Sequence, residues 1–186
     1  MISSGDEVVP VECRPGQGQI RDANSHAIAA LVRACGAVPA AMDIVPDNAG
    51  MLGESVHKGL SEADVVVLSG GSSVGARDLM VDAVSGLPGT EILAHGVAIR
   101  PGKPMLLANQ AGKPIVGLPG HPVSALIVAQ VFLAPFLLFL QGAAMQKGPV
   151  GQRAKAALAT SIHSTIGLEE YVRVHLEETA QGGILA

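Results

Sequence analysis

Hydrophobic and polar positions alternate between two periods along residues 1–142. In Asp22–Cys35 (DANSHAIAALVRAC) the apolar positions 28, 31, 32 and 35 fall on one side of a helix. Asp22 or Asn24 supplies a capping oxygen, and Gly36 lets the chain leave. The apolar run Ala37–Val45 predicts a strand, Pro46-Asp47-Asn48 a turn, and Asn48–Leu60 a second helix. Ala63–Ser69 is a β-branched run of the kind that fills a parallel sheet buried on both faces. A short helix is predicted over Asp78–Val84, and strands over Glu91–Ile99, Met105–Ala108 and Ile115–Leu118, the last two joined by a turn at Ala111-Gly112-Lys113. A long apolar helix from about Pro122 to Gln141 follows. Its Phe132, Phe136 and Phe139 form one stripe, and Pro135 should kink it.

This alternation predicts an α/β fold, an open and mostly parallel sheet with helices on both faces, over residues 1–146. Residues 147–186 change character. Arg153–Ala159 and Tyr171–Leu176 look like strands, the second alternating at Val172, Val174 and Leu176, so a partial small β domain is expected there.

Composition narrows the function. Hydrophobic residues make up 48% of the 186 positions and charged residues 15%, which excludes a disordered chain. Aromatics are only 2% and the net charge is −4, so neither a base-stacking platform nor a broad cationic face for nucleic acid is expected. Any bound anion must be held locally. Cys13 and Cys35 make neither a disulfide scaffold nor a zinc site. The opening MISSGDEVV turns acidic at once and has no signal-peptide pattern, and Val123–Leu140 is short for a span and broken by Gln130 and Pro135. The expectation is therefore a cytoplasmic protein with no membrane association, its apolar helix buried in the core or in a dimer interface.

Candidate chemistry sits in loops. Ser69-Gly70-Gly71-Ser72-Ser73-Val74-Gly75-Ala76-Arg77-Asp78 follows a strand and precedes a helix, where backbone N–H groups and the helix start can receive an anion. Gly70 and Gly75 have the spacing of a phosphate-binding loop, but Ala76-Arg77 replaces the Lys-Ser/Thr that a Walker loop needs. Three similar loops follow other strands: Ser3-Ser4-Gly5-Asp6-Glu7, Pro101-Gly102-Lys103-Pro104 and Gly117-Leu118-Pro119-Gly120-His121-Pro122. Asp6, Glu7, Asp47 and Asp78 bring carboxylates of the type magnesium uses together with phosphate oxygens. Arg100 and Lys103 bring positive charge, while Asp22 is read as a cap. No serine carries the signature of an activated nucleophile, and the six histidines show no ligand spacing.

Taken in order, these loops resemble the molybdopterin molybdenumtransferase family, which includes MoeA and the gephyrin E domain. Ser4-Gly5-Asp6-Glu7 is similar to the family's TGDE, and Gly18 to Asn24 (GQIRDAN) to GQIRDSN. Ser69–Asp78 is similar to SGGVSVGxxD, Pro101–Pro104 to PGKP, and Gly117–Ser124 to GLPGNPVS, with His121 in place of Asn, Ser72 of Val and Ser4 of Thr. The resemblance implies a MogA- or MoaB-like core and a magnesium-dependent insertion of molybdate into adenylylated molybdopterin with release of AMP. It further implies metal and catalytic roles for Glu7, Asp47 and Asp78, with Arg100 on phosphate or molybdate. Ser4, Gly5, Asp6, Ser69, Gly70, Gly71, Ser73, Gly75, Lys103, Pro119, Gly120, Pro122 and Ser124 would contact substrate, in a homodimer. The family carries two further domains ahead of this one, and the closing β unit stops short at Ala186. A fragment without turnover of its own is therefore one expectation, alongside a non-catalytic molybdopterin-binding or dimerisation module and a MogA-like adenylyltransferase.

Overall fold

The computed structural model describes residues 1–40, 43–70, 78–144, 149–151, 153–180 and 182–186. In chain order the elements are β1 (Ile2–Ser4), β2 (Val8–Val9), β3 (Ile20–Arg21), α1 (Ala23–Ala34), β4 (Asp43–Val45), α2 (Ala49–Glu62), β5 (Val66–Gly70), α3 (Leu79–Ser85), β6 (Thr90–His95), β7 (Ile99–Arg100), β8 (Leu106–Gln110) and β9 (Lys113–Leu118). They are followed by α4 (Pro122–Val128), a π-turn (Ala129–Leu133), α5 (Ala134–Leu140), β10 (Glu169–Glu170), β11 (Glu177–Glu178) and β12 (Ile184–Leu185). Six strands form one sheet in the order β4-β1-β5-β9-β8-β6. The contacts from β4 to β9 are parallel, and β8 runs antiparallel to both its neighbours.

The period-two pattern decides which side chain meets which helix. Val66 and Leu68 of β5 face α2 and α3 and pack with Leu52, Val56, Leu60, Met80 and Val84. Val67 faces the other way, toward Ile28 and Val32 of α1 and Val128 and Leu133 of the closing helix. Leu52, Val56 and Leu60 recur every four residues and are buried. Each such side chain stabilises the fold by about 1.5–3 kcal/mol relative to exposure.

Helix ends follow local chemistry. Asp22 caps α1, accepting from Ser25 N at 3.1 Å, as its place in the sequence predicts. Asn48 caps α2 by accepting from Met51 N at 3.0 Å. Lys113 Nζ donates to Leu60 O and Ala63 O at the far end of α2, placing a cation on orphan carbonyls. The kink expected from Pro135 takes the form of the π-turn just before it: Pro135 has no N–H to donate, and the wider turn accommodates the loss.

Other expectations are corrected. Of the described residues in Ala37–Val45, Asp43–Val45 form the strand and Ala37–Ala40, which contains Pro39, is irregular; residues 41–42 lie outside the described residues. The run Glu91–Ile99 splits at Gly96, whose φ is +84°, into β6 and β7. Tyr171–Leu176 is not a strand: Tyr171 N donates to Arg100 O of β7, but no ladder to a neighbouring strand follows among the described residues, and Val172, Val174 and Leu176 are exposed. Arg153–Ala159 contributes a single bridge, Ala157 to Leu185. The tail joins the rest by β10 beside β7.

At the tips of β1, β5 and β9 the backbones come unusually close. A Cβ on Gly70, whose φ is +116°, would lie 2.0 Å from the Ser4 carbonyl oxygen. One on Gly120 would lie 3.3 Å from Gly70 Cα. Gly70→Ala is expected to lower the unfolding free energy in urea titration by about 3 kcal/mol or more. Gly112→Ala, with φ +85° and nothing within 4 Å, should cost only about 1 kcal/mol. Equal costs would show that the close approach does not constrain the fold.

Tyr171, the only tyrosine, has its pKa pushed up to about 12, first by desolvation and then by its hydrogen bond to, and the charge of, Glu169. The native state then holds a proton that the unfolded chain releases near pH 10. Tyr171 therefore stabilises the fold fully below that pH, and this contribution is lost as pH rises through the folded pKa. Tyrosinate absorbance should titrate with a midpoint near 12 in the folded protein, and a midpoint at the free-tyrosine value would contradict the half-buried contact with Glu169.

Candidate active site at the sheet tips

The carboxyl ends of β1, β5 and β9 open into a cavity of about 540 Å³. Ligands in open α/β sheets bind at this edge because the loops there converge and expose backbone donors. Ser4, Glu7, Asp47, Ser69, Gly70, Pro119, Gly120, Pro122 and Ser124 all line it, so loops far apart in sequence meet in one place.

The floor is a hydrogen-bonded lattice. Ser4 Oγ donates to Asp47 Oδ1 at 2.7 Å, and Asp47 N donates to Asp6 Oδ1 at 3.1 Å. Gly5 N donates to Val45 O at 3.2 Å. A Cβ on Gly5 would lie 2.7 Å from Glu7 Oε2, so only glycine leaves that carboxylate room to fold back over the turn. On the opposite side, Asn24 Nδ2 donates to Ser69 Oγ and to Gly120 O, both at 2.8 Å. That one amide ties α1 to the ends of β5 and β9.

Other expected residues sit outside the lining. Asp78 caps α3 through Oδ1, accepting from Met80 N at 3.1 Å, while its Oδ2 meets His95 Nε2 at 3.0 Å. Its neighbour Leu79 does reach the cavity. Arg100 pairs with Glu170 at 3.3 Å and borders a different cleft. Lys103 lies beside Pro104, which lines the cavity. Gly71, Ser73 and Gly75 lie outside the described residues. Among the described residues no cluster of three or more metal-type ligands is gathered, so of the expected acidic trio only Glu7 and Asp47 share the cavity.

Ser3, Arg21 and Asn24 also line the cavity; the sequence offered Ser3 as a hydroxyl for phosphate or an oxyanion and Asn24 as a candidate helix cap. Arg21, whose Nε donates to Cys13 O at 3.0 Å, is the arginine in its wall among the described residues, where His121 also lies. The GQIRDAN motif was the available signal for Arg21 and Asn24. Ser3 was legible as a member of the Ser3–Glu7 loop, but not as a buried hydroxyl on the α1 side. A larger cleft of about 820 Å³ runs between β8 and the closing helix. Its walls are mainly aliphatic and phenyl groups, with polar side chains only at Asn109, Glu169 and Tyr171, so the smaller cavity is the better candidate for phosphate chemistry.

Comparison with known proteins gives the family. Residues 1–138 match the family model described as a probable molybdopterin binding domain. The chain is 37% identical over 175 residues to a molybdopterin molybdenumtransferase of Nostoc, covering 92% of this chain and 39% of that protein. It is 34% identical over 186 residues to molybdopterin molybdenumtransferase 2 of Mycobacterium tuberculosis, covering 97% and 45%. The chain thus spans less than half the length of these relatives. The crystal structure of the molybdopterin biosynthesis MoeA protein of Pyrococcus horikoshii superposes with a TM-score of 0.67 at 34% identity, over 76% of this chain and 34% of that one. A molybdenum cofactor biosynthesis protein B superposes with a TM-score of 0.55 at 15% identity, over 76% and 93%, and shows the shared fold. With three quarters of its length matched by one family model and its loops gathered at one sheet edge, the chain belongs to the molybdopterin binding domain family.

Proposed function

We propose that this chain serves molybdenum cofactor biosynthesis, as the core of an enzyme that inserts molybdate into adenylylated molybdopterin and releases AMP. The observation that carries the reading is the convergence of Glu7, Asp47, Ser69, Gly70 and Gly120 on one cavity. An oxygen of water or molybdate would attack the phosphorus of the molybdopterin phosphate, forming a new P–O bond as the anhydride P–O bond breaks and its electron pair leaves on the oxygen of AMP. This demands positioning and charge neutralisation rather than a protein nucleophile.

Two carboxylates on one cavity fit magnesium, which takes one or two of them and completes its shell with phosphate oxygens and water. Glu7 and Asp47 would hold it, and the ion supplies positive charge opposite the anhydride oxygens. Asp47 keeps Oδ2 for this, because Ser4 uses Oδ1. Asp78 enters the proposal from the rim, where it fixes the start of α3 directly after the glycine loop. Lys103, in the loop that brings Pro104 to the cavity, would supply charge to phosphate or molybdate, while Arg100 is paired with Glu170 at a separate cleft and would support that loop from outside. Gly5 and Asp6 hold the acidic turn, and Gly71, Ser73 and Gly75 would add backbone and hydroxyl donors. Pro119, Gly120, Pro122 and Ser124 shape the far wall.

The cytoplasm is the proposed compartment. The helix Pro122–Leu140 is long and apolar enough to cross a bilayer by composition, yet Ala125, Val128, Ala129, Leu133 and Ala134 pack into the core. A homodimer is also proposed. Leu93, Phe139 and Leu140 are exposed, and β6 ends the sheet beside the apolar cleft.

Purified protein given adenylylated molybdopterin, molybdate and magnesium should release AMP, and Asp47→Asn and Glu7→Gln should cut the rate by about 100-fold without altering the melting temperature. Binding without turnover would favour a binding or dimerisation module, and ATP-dependent adenylylation of molybdopterin would favour an adenylyltransferase. Light scattering at micromolar concentration should give twice the 18.8 kDa chain mass, and a monomer would refute the dimer.

A further inference from the structure

Burial of polar side chains in this fold is concentrated. Among the described residues the buried polar or charged ones are Ser3, Ser4, Asp22, Ser25 and Ser69, and four of these line the candidate cavity. A buried polar group is costly unless something bonds it. Ser4 has Asp47, and Ser69 Oγ accepts from Asn24. Ser3 Oγ is 3% exposed as a residue and has no partner.

Ser3 and Ser4 are consecutive on β1, so their side chains leave opposite faces of the sheet. Ser4 turns to Asp47. Ser3 is the register partner of Ser69 in the parallel pair, and partners in register share a face. That face is the α1 side, because Ser69 meets Asn24 of α1. Asp22, 6% exposed, caps α1 and lines the same cavity. Its Oδ1 takes the Ser25 amide and leaves Oδ2 available. The α1 side of the cavity therefore combines two buried hydroxyls able to donate with a buried carboxylate able only to accept. A phosphate is disfavoured there by the carboxylate.

We propose that Ser3, Ser69 and Asp22 form a subsite for the amino-oxo edge of a fused nitrogen heterocycle, the pterin half of the substrate, while the Ser4, Glu7 and Asp47 side takes the phosphates. This inference rests on the functional reading above. An amino-oxo edge offers an exocyclic amine and a ring N–H side by side, which one carboxylate accepts in parallel as it does an arginine fork. Its carbonyl oxygen accepts from a hydroxyl. The amine of adenine is flanked by acceptor nitrogens instead, which would leave the carboxylate half-used and the hydroxyls misplaced.

The test is calorimetric titration of the full chain with hydroxymethylpterin and, separately, with AMP. Ser3→Ala should weaken pterin binding by about tenfold. It should leave AMP binding unchanged and leave the melting temperature unchanged or raised, because the hydroxyl it removes has no partner in the fold. Asp22→Asn keeps a capping oxygen and should weaken the pterin at least as much. If both variants bind the pterin as the parent does, the subsite is overturned while the functional reading stands. Loss of AMP affinity in place of pterin affinity would also overturn it. A parent protein that binds neither probe would overturn the subsite and the functional reading together.

Discussion

The contact on which the rest of the molecule depends is the close passage of three backbones, at Ser4, Gly70 and Gly120. No side chain fits between the first two, since a single Cβ there would overlap the Ser4 carbonyl oxygen. Because β1, β5 and β9 come this close at their carboxyl ends, the loops beyond them share one neighbourhood. The cavity follows from that geometry. The glycines serve packing first, and the exposure of backbone donors to a ligand is a result of it.

Much of the fold was legible because its signals are local. Asp22 and Asn48 each sit one position before a helix and cap it. Val66, Val67 and Leu68 read as a strand covered on both sides, and they are divided between the two halves of the core. Where the reading failed, the missing information was a partner. Tyr171–Leu176 has strand-like alternation, yet a strand exists only when a neighbour takes its hydrogen bonds, and no sequence window contains that neighbour. The split of β6 from β7 likewise turns on one glycine that adopts a positive φ inside an apolar run.

The site was legible as a set of motifs but not as an arrangement. Glycine loops, carboxylates and the GQIRDAN stretch could be picked out, and most of them do meet. Sequence could not reveal that Asn24 would brace Ser69 and Gly120, 45 and 96 positions away. Nor could it show that Asp78 and Arg100 would spend their charge on His95 and Glu170. Those are long-range pairings decided by how the helices pack. Ser3 is the clearest case: the sequence places it in a candidate loop, but only the fold shows its oxygen buried without a partner.

The pairing of β7 with β10 has a mechanical meaning. Glu169 N donates to Ala98 O and Tyr171 N to Arg100 O, at 2.9 and 2.8 Å. These bonds grip the chain just before Pro101, and the loop from there runs directly to Pro104 in the cavity wall. The rim on that side is thus anchored by residues some way beyond the sheet and its closing helix. One wall of the pocket and the tail beyond the closing helix therefore meet through a two-stranded ladder.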